Sequence, residues 1–384
     1  MPNQLENLIP QILSQILSVL RENCIMPAQV NNLYSEEAAS QGSMIEIPEL
    51  GDMQAFPVVP GPYPADAVIS DVTAIKRQLN LNNFEAATFR MNDKELYEVA
   101  NGTRSRAVEK AVQALCRSIN SSIFSVYRQV YNVTGVAGTT PFGVNTGVAQ
   151  EASRMLTSAF APYRDRRMIL NEFAYANALG LGVLQKVNES GSSETLRDAQ
   201  ITRAVGFDWY EDQQVPRHTS TAVAPYAVDA AAVAGAVSLV LDNGAGAIPV
   251  APAIGDVFSL PGNIRTYVVT SVATATPTAN EITIGISPGL AANYADGAVA
   301  TFVTTTANSH VANLAFHRDA IAFASRPIID VPAAGNILEV LPDPQSGLVL
   351  RFEVQRGWKE TIFSVDCLWG VLLNRPQLAV RILG

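Results

Sequence analysis

Between Thr219 and Ser309 the chain changes character, and that change limits what the whole can fold into. These 91 positions hold six charged residues (Asp229, Asp242, Asp256, Arg265, Glu281 and Asp296) and no Lys, Cys, Met or Trp. Short β-rich runs recur between turn signals: VSLVLDN, GDVFSL, RTYVVTSV, EITIGISPG and AVATFV. Ile282, Ile284 and Ile286 alternate, as do Val268, Thr270 and Val272, the period of a strand with one buried face. Several such strands in sequence predict a small β-barrel or sandwich. Both flanks return to an α/β character, so 219–309 reads as a domain inserted into a larger one.

The clearest single element lies upstream, in RSRAVEKAVQALCRSINSSIFSVYRQVY at 104–131. Val108, Val112, Leu115, Ile119, Ile123, Val126 and Val130 recur at steps of three or four, which predicts one apolar stripe along about 40 Å of helix. Thr103 or Ser105 can cap its start, and Cys116 beside the stripe is a small packing residue. A second stripe opens the chain: Leu5, Leu8, Ile9, Ile12, Leu13, Ile16 and Leu20 share one helix face, with Pro10 offering a later start. That face needs cover, either from the chain's own core or from a neighbouring subunit. The segment has no basic stretch before its apolar run, so it does not read as a signal peptide. No run of 18 apolar residues occurs, and no membrane span is expected.

Residues 22–100 read as irregular and extended. IPELGDMQAFPVVPGPYPADAV, with five prolines and two glycines, excludes a regular helix. It carries Phe56, Val58, Val59, Tyr63 and Val68, as an ordered arm lying on another surface would. Leu79, Leu81, Phe84, Ala87 and Phe89 then predict the return strand of a long hairpin. Further on, EASRMLTSAF suits a helix, and DRRMILN a short strand ending in Asn171, which can cap EFAYANALGLG. The C-terminal GLVLRFEVQRGWKETIFSVDCLWGVLLNRPQLAVRIL holds long alternating runs broken at Arg356-Gly357 and Arg375-Pro376.

Charge and cysteine content exclude several functions. Only 16% of residues are charged, so the surface is either covered by further copies or belongs to an ordinary Ala-rich globular protein. A net charge of −9, with Lys and Arg scattered, gives no surface that neutralises phosphates. Cys24, Cys116 and Cys367 are odd in number and far apart, which fits neither a disulfide framework nor a metal knuckle.

The candidate chemistry fails on its companions. His317-Arg318-Asp319 opens like a kinase catalytic loop, but the position that should hold a metal-binding Asn is Ala324, and no glycine-rich loop precedes it. The three histidines, His218, His310 and His317, have no nucleophile motif beside them. Asp208, Glu211, Asp212 and His218 in DWYEDQQVPRH match no ligand spacing and read as a solvated acidic loop. GLGV at 180–183 lacks the third glycine and the Lys of a phosphate loop. Arg318 and Asp319 are expected in a strand leaving the inserted domain, forming ion pairs within or between subunits.

Three segments together carry a resemblance. VGFDWYEDQQVPRHTS (205–220), ANLAFHRDAIAFASRPI (312–328) and LWGVLLNRPQLAVRI (368–382) resemble the major coat proteins of tailed bacteriophages, specifically the Salmonella short-tailed-phage type with an inserted β-domain. The resemblance implies an α+β chain with the Hong Kong 97 type capsid fold. Its parts would be an N-terminal arm with an amphipathic helix (1–42), an extended loop (43–98), a peripheral domain with a spine helix (99–150) and an axial domain (151–218). The inserted β-barrel (219–309) and a return through both domains (310–384) would follow.

The implied function is a non-enzymatic major capsid protein without cofactors. It would form pentamers and hexamers of an icosahedral head around double-stranded DNA, starting from a procapsid that matures by expansion. Its partners would be many copies of itself, a scaffolding protein, a portal and a decoration protein, with no membrane and no sequence-specific nucleic-acid binding. It would be assembled in the bacterial cytoplasm and reside in the virion. The residues expected between subunits are Leu5, Ile9, Ile12, Phe56, Tyr63, Phe84, Phe89, Arg318 and Asp319. A cellular nanocompartment shell of the same fold, another virion structural protein, and a hydrolase or transferase with an unfamiliar site are the alternatives.

Overall fold

The second half of the N-terminal stripe, from Ile12 on, finds its cover inside the chain. The structure, a computed structural model, describes residues 5–34, 44–50, 74–95, 106–186, 194–222, 225–243, 250–273, 281–304, 309–328 and 337–384. Helix α1 (Leu5–Asn23) and the short α2 (Met26–Gln29) pack on α3 (Arg106–Phe124). Ile12, Ile16 and Leu20 share one buried core with Val108, Val112, Leu115 and Ile119. Each such aliphatic side chain contributes about 1.5–3 kcal/mol on leaving water, so this seam holds α1 more firmly than its own propensity does.

The stripe of α3 runs on past the α-helix. Ser125–Gln129 tightens into a 3-10 turn, with Val126 and Val130 still buried. Spacings of three and four fit both helix types, so the sequence pattern alone reads them as one helix.

The remaining elements follow in chain order. A hairpin of β1 (Met44–Leu50) and β2 (Ala74–Asn80) precedes β3 (Asn83–Asn92) and α3. Then come β4 (Val133–Gly135), α4 (Gly147–Ser158), β5 (Arg166–Leu170), α5 (Glu172–Gly180), α6 (Gly182–Gln185) and α7 (Glu194–Asp198). Strands β6 (Arg203–Ala204), β7 (Phe207–Glu211) and β8 (Arg217–Thr219) lead to a six-stranded closed barrel. The barrel is made of β9 (Tyr226–Val228), β10 (Ser238–Asp242), β11 (Val257–Ser259), β12 (Thr266–Val272), β13 (Glu281–Ser287) and β14 (Val299–Phe302). The chain returns through β15 (Ser309–His317), β16 (Ile321–Arg326), β17 (Ile337–Asp343), β18 (Leu348–Arg356), β19 (Glu360–Leu373) and β20 (Ala379–Leu383).

Two sheets form the body. One runs β4-β20-β15-β5-β7-β6, with β8 paired to the start of β15. In the other, the fourteen-residue β19 pairs with β3 on one side and with β18 and β16 on the other. The return strand expected through Phe89 therefore ends at Asn80, and Phe84 and Phe89 belong to β3. Asn171 closes β5 and caps α5, its side chain accepting from the Ala174 amide at 3.1 Å.

The barrel fills itself with Tyr226, Leu239, Leu241, Phe258, Tyr267, Val269 and the alternating Ile282, Ile284 and Ile286. The alternation expected of Val268, Thr270 and Val272 does not hold through β12. A register shift between Val269 and Ser271 breaks it, and Val268 turns outward to pack with Tyr131 and Val257. Strand β12 is thus covered on both faces, by the barrel interior and by the body.

The hairpin β1–β2 lies on the body through Ile45, Ile47, Leu79 and Leu81, which meet Ala322, Ala324, Leu368 and Leu372. Gly370 makes that approach possible, because a Cβ there would strike the Asn80 carbonyl oxygen. Gly370→Ala is expected to cost about 1–3 kcal/mol in urea unfolding. It should also speed amide exchange in β1 and β2 while leaving the barrel strands protected.

Candidate functional site

Strand β8 leads into the barrel and β15 leads out of it, and the two pair side by side, with His218 opposite His310. Their rings meet edge-on at 5.3 Å. His218 is buried between a carboxylate of the barrel and a phenol of the body. Its Nε2 lies 2.9 Å from Asp256 Oδ1, and its Nδ1 lies 3.2 Å from the Tyr127 hydroxyl. The neutral tautomer with its proton on Nε2 donates to Asp256 and accepts from Tyr127, satisfying both nitrogens. Asp256 Oδ2 also accepts from the Ala253 amide at 2.8 Å, which closes the turn before β11.

Arg381, from the middle of β20, completes the junction. Its Nη1 donates to the Gly255 carbonyl at 2.7 Å, and its Nη2 donates to the carbonyls of Val130 (3.2 Å) and Tyr127. Burial pushes the guanidinium down to about 10, against the opposing influence of Tyr127 and Asp256. Gly255 sits at φ +98°, and a Cβ there would come within 3.2 Å of both Arg128 and His218. Nearby, Thr266 Oγ1 donates to the Tyr131 carbonyl at 2.7 Å. Both nitrogens of His218 are engaged, so this network orients the barrel on the body.

The acidic segment before β8 does not converge on a metal. Asp208 pairs with Arg203 at 3.1 Å, Glu211 is exposed, and His218 belongs to the junction. Asp212 points the other way, into the core. Its Oδ2 accepts from Asn120 Nδ2 at 3.1 Å and its Oδ1 from the Gln214 amide at 2.7 Å. Asn120 also donates to the Asn23 carbonyl at 3.3 Å, so one amide ties the end of α1, the middle of α3 and the end of β7 together. Burial pushes the Asp212 carboxyl up to about 6, partly opposed by the Gln214 amide.

His317 lies in the strand that leaves the barrel, as expected, whereas Arg318 and Asp319 do not. His317 ends β15, and Arg318–Ala320 form a 3-10 turn that passes the chain from one sheet to the other. Arg318 Nε donates to the Val30 carbonyl at 3.2 Å and its Nη2 to Asn32 Oδ1 at 2.9 Å. Asp319 accepts from Asn31 Nδ2 at 2.9 Å. The pair thus binds the segment after α2 by hydrogen bonds. The strands on either side are buried on both faces, so their apolar residues run on past the turn and hide it from a sequence reading. Burial lowers the His317 imidazole below its ordinary value, against the raising influence of Asp319 and Asp165.

Of the other residues expected between subunits, Ile12 is 1% exposed in the chain's own core. Phe89 stacks on Phe363 at 5.3 Å, and Phe84 is 57% exposed at the start of β3. The side chains of Leu5 and Ile9, and all of Phe56 and Tyr63, lie outside the described residues. The three cysteines are buried thiols. A hydrogen bond with Cys116, then burial, raises Cys24, and burial pushes Cys367 up to about 12.

Tyr127, Asp256 and Arg381 were not singled out by the sequence reading. The signal available was Arg381 itself, a lone cation in the apolar run LAVRIL, which implies buried acceptors.

No family model matches the chain, and no curated protein does. Among solved structures, one titled "Mycobacterium phage Che8" is 15% identical with a TM-score of 0.48, the match covering 94% of this chain and 91% of that one. "Capsid structure of the Cyanophage P-SCSP1u" is 12% identical with a TM-score of 0.46, covering 92% and 85%. "Crystal structure of virus-like particle from Pyrococcus furiosus" is 9% identical with a TM-score of 0.43, covering 97% and 98%.

Arg381→Leu leaves three carbonyls without their donor and is expected to lower stability by roughly 3–5 kcal/mol in urea unfolding. Asp212 gives a pH signature. Its folded pKa of about 6 lies above the ordinary aspartate value, so the folded state holds the proton more tightly. Its contribution is fully present below pH ~4 and is lost as pH rises toward ~6, by on the order of 2 kcal/mol. Asp212→Asn should flatten that part of the stability profile; an unchanged slope would count against the assignment.

Proposed function

We propose that the chain is the shell-building subunit of a tailed-phage head, with the Hong Kong 97 type fold and no catalytic role. The observation that carries this reading is the way the three resembling segments come together. Segment 205–220 ends in β8, 312–328 spans β15 and β16, and 368–382 spans the end of β19 and most of β20. β8 pairs with β15, β15 with β20, and β16 with β19. The β8–β15 pairing falls at 309–311, just before the second segment, and the Ala312 amide donates to the Pro216 carbonyl at 3.0 Å, so motifs scattered over 178 positions form one hydrogen-bonded unit.

The hairpin supports assembly. β1 and β2 pair only with each other among the described residues, and a lone two-stranded hairpin is marginal in water. One face rests on the chain's own body. Between its strands the sequence places Phe56, Val58, Val59, Tyr63 and Val68, apolar residues that call for a covering surface. A neighbouring subunit supplies it in this reading, and repeated head-to-tail contacts close into pentamers and hexamers of an icosahedral shell. The net charge of −9 suits a wall that does not hold the double-stranded DNA it encloses. A scaffolding protein, a portal and a decoration protein are its partners. The procapsid forms in the bacterial cytoplasm, expands as DNA enters, and becomes the virion wall.

Expressed alone and with the proteins encoded beside it, the chain is expected to give closed shells by negative-stain electron microscopy. A monomer under both conditions would sink the reading. Leu50 and Ala74 are directly paired, so a two-residue Asn-Gly turn can replace residues 51–73. That variant should keep the wild-type unfolding midpoint within a few degrees and form no stable shells.

A further inference from the structure

Helix α4 ends in a closure that normally requires glycine. The Ala161 amide donates to the Leu156 carbonyl at 2.9 Å and the Phe160 amide to the Thr157 carbonyl at 3.0 Å, the two bonds of a Schellman motif. The residue between them is left-handed, where a Cβ crowds the neighbouring carbonyl. Here it is Phe160, at φ +56° and 94% exposed. Asp165, at the end of the same loop, is also left-handed at φ +58°. Phe160 thus combines backbone strain with an aromatic ring left in water, and glycine would remove both. Strain of this kind concentrates where a site needs it. Tyr163 stands in the same loop at 65% exposure, and Arg164 beside it is exposed.

The opposite end of β5 carries a complementary surface. From Asp165 to Asn171 the strand covers about 20 Å. There Glu172 is exposed and Phe173 is 65% exposed. Beside Phe173 lies a recess of about 210 Å³ lined by Pro141, Asn171, Arg217 and Val311, room enough for an aromatic ring. Arg217 can lie against the face of a ring that enters it.

We infer that Phe160 and Tyr163 of one copy dock in the Phe173 recess of a second copy, with Arg164 facing Glu172. The two surfaces are different and sit at opposite ends of one sheet. Their contact is therefore heterologous and propagates from copy to copy until a ring closes. Exposed aromatics with an adjacent arginine are the residue types that dominate such interfaces. The inference rests on the reading of the chain as a shell subunit and specifies one contact within that shell.

Two experiments test it. In the first, assembled Arg164→Cys/Glu172→Cys protein is oxidised and run on a non-reducing gel. The native cysteines are buried and do not compete. A ladder of dimers, trimers and higher species is expected, with each single variant staying monomeric. Monomers only from the double variant, or dimers from either single variant alone, would overturn the contact.

In the second, Phe160→Gly is expected to raise the unfolding midpoint of the isolated chain and to cut the yield of shells at least tenfold. Wild-type yield from Phe160→Gly overturns the contact and leaves the shell reading intact. A wild-type chain that never assembles overturns both.

Discussion

The buried guanidinium of Arg381 ties three parts of the chain to one another at a single point. It rises from the C-terminal strand, reaches the carbonyls that end the long helix, and takes the Gly255 carbonyl of the barrel on the other side. Backbone carbonyls meet the hydrogens of both terminal nitrogens, Nε has no hydrogen-bond partner among the described residues, and the buried Asp256 carboxylate supplies a favourable charge nearby. The helix end must therefore tighten into a 3-10 turn, and Gly255 must take a conformation that admits no side chain. His218 and Asp256 then fall into register beside it. The orientation of the barrel follows from this junction together with the packing of Val268 on Tyr131.

How much of this was legible in the sequence depended on range. The barrel could be read because alternation is local: Ile282, Ile284 and Ile286 report their own strand. The Asn171 cap was visible for the same reason. The helical stripe of α1 showed that a cover was needed without showing whose, since Ile12 and Ile16 would look the same against a neighbour. Tyr127, His218, Asp256 and Arg381 are brought together only by the topology, and no spacing along the chain announces them.

Two misreadings have a shared cause. Arg318 and Asp319 were expected in a strand, and Val268, Thr270 and Val272 on one face. In both places an apolar run continues across an irregularity, a 3-10 turn in one case and a register shift in the other. An apolar run records burial, and burial persists when the strand does not. Both irregularities lie where a segment changes the surface it packs on, so the chain bends where its partners change.

The pairing of β3 with β19 sets an order of events. Ten residues near the start of the chain are matched with ten near its end, so the second sheet cannot close until the last strand exists. Roughly 270 residues must be made in between, which at ribosomal rates of about 5–20 residues per second takes some ten to fifty seconds. Throughout that time β3 has an unpaired edge, and the underside of the hairpin lacks Leu368 and Leu372. The second sheet and the seat of the hairpin are therefore completed late in synthesis, after the barrel strands have all been made.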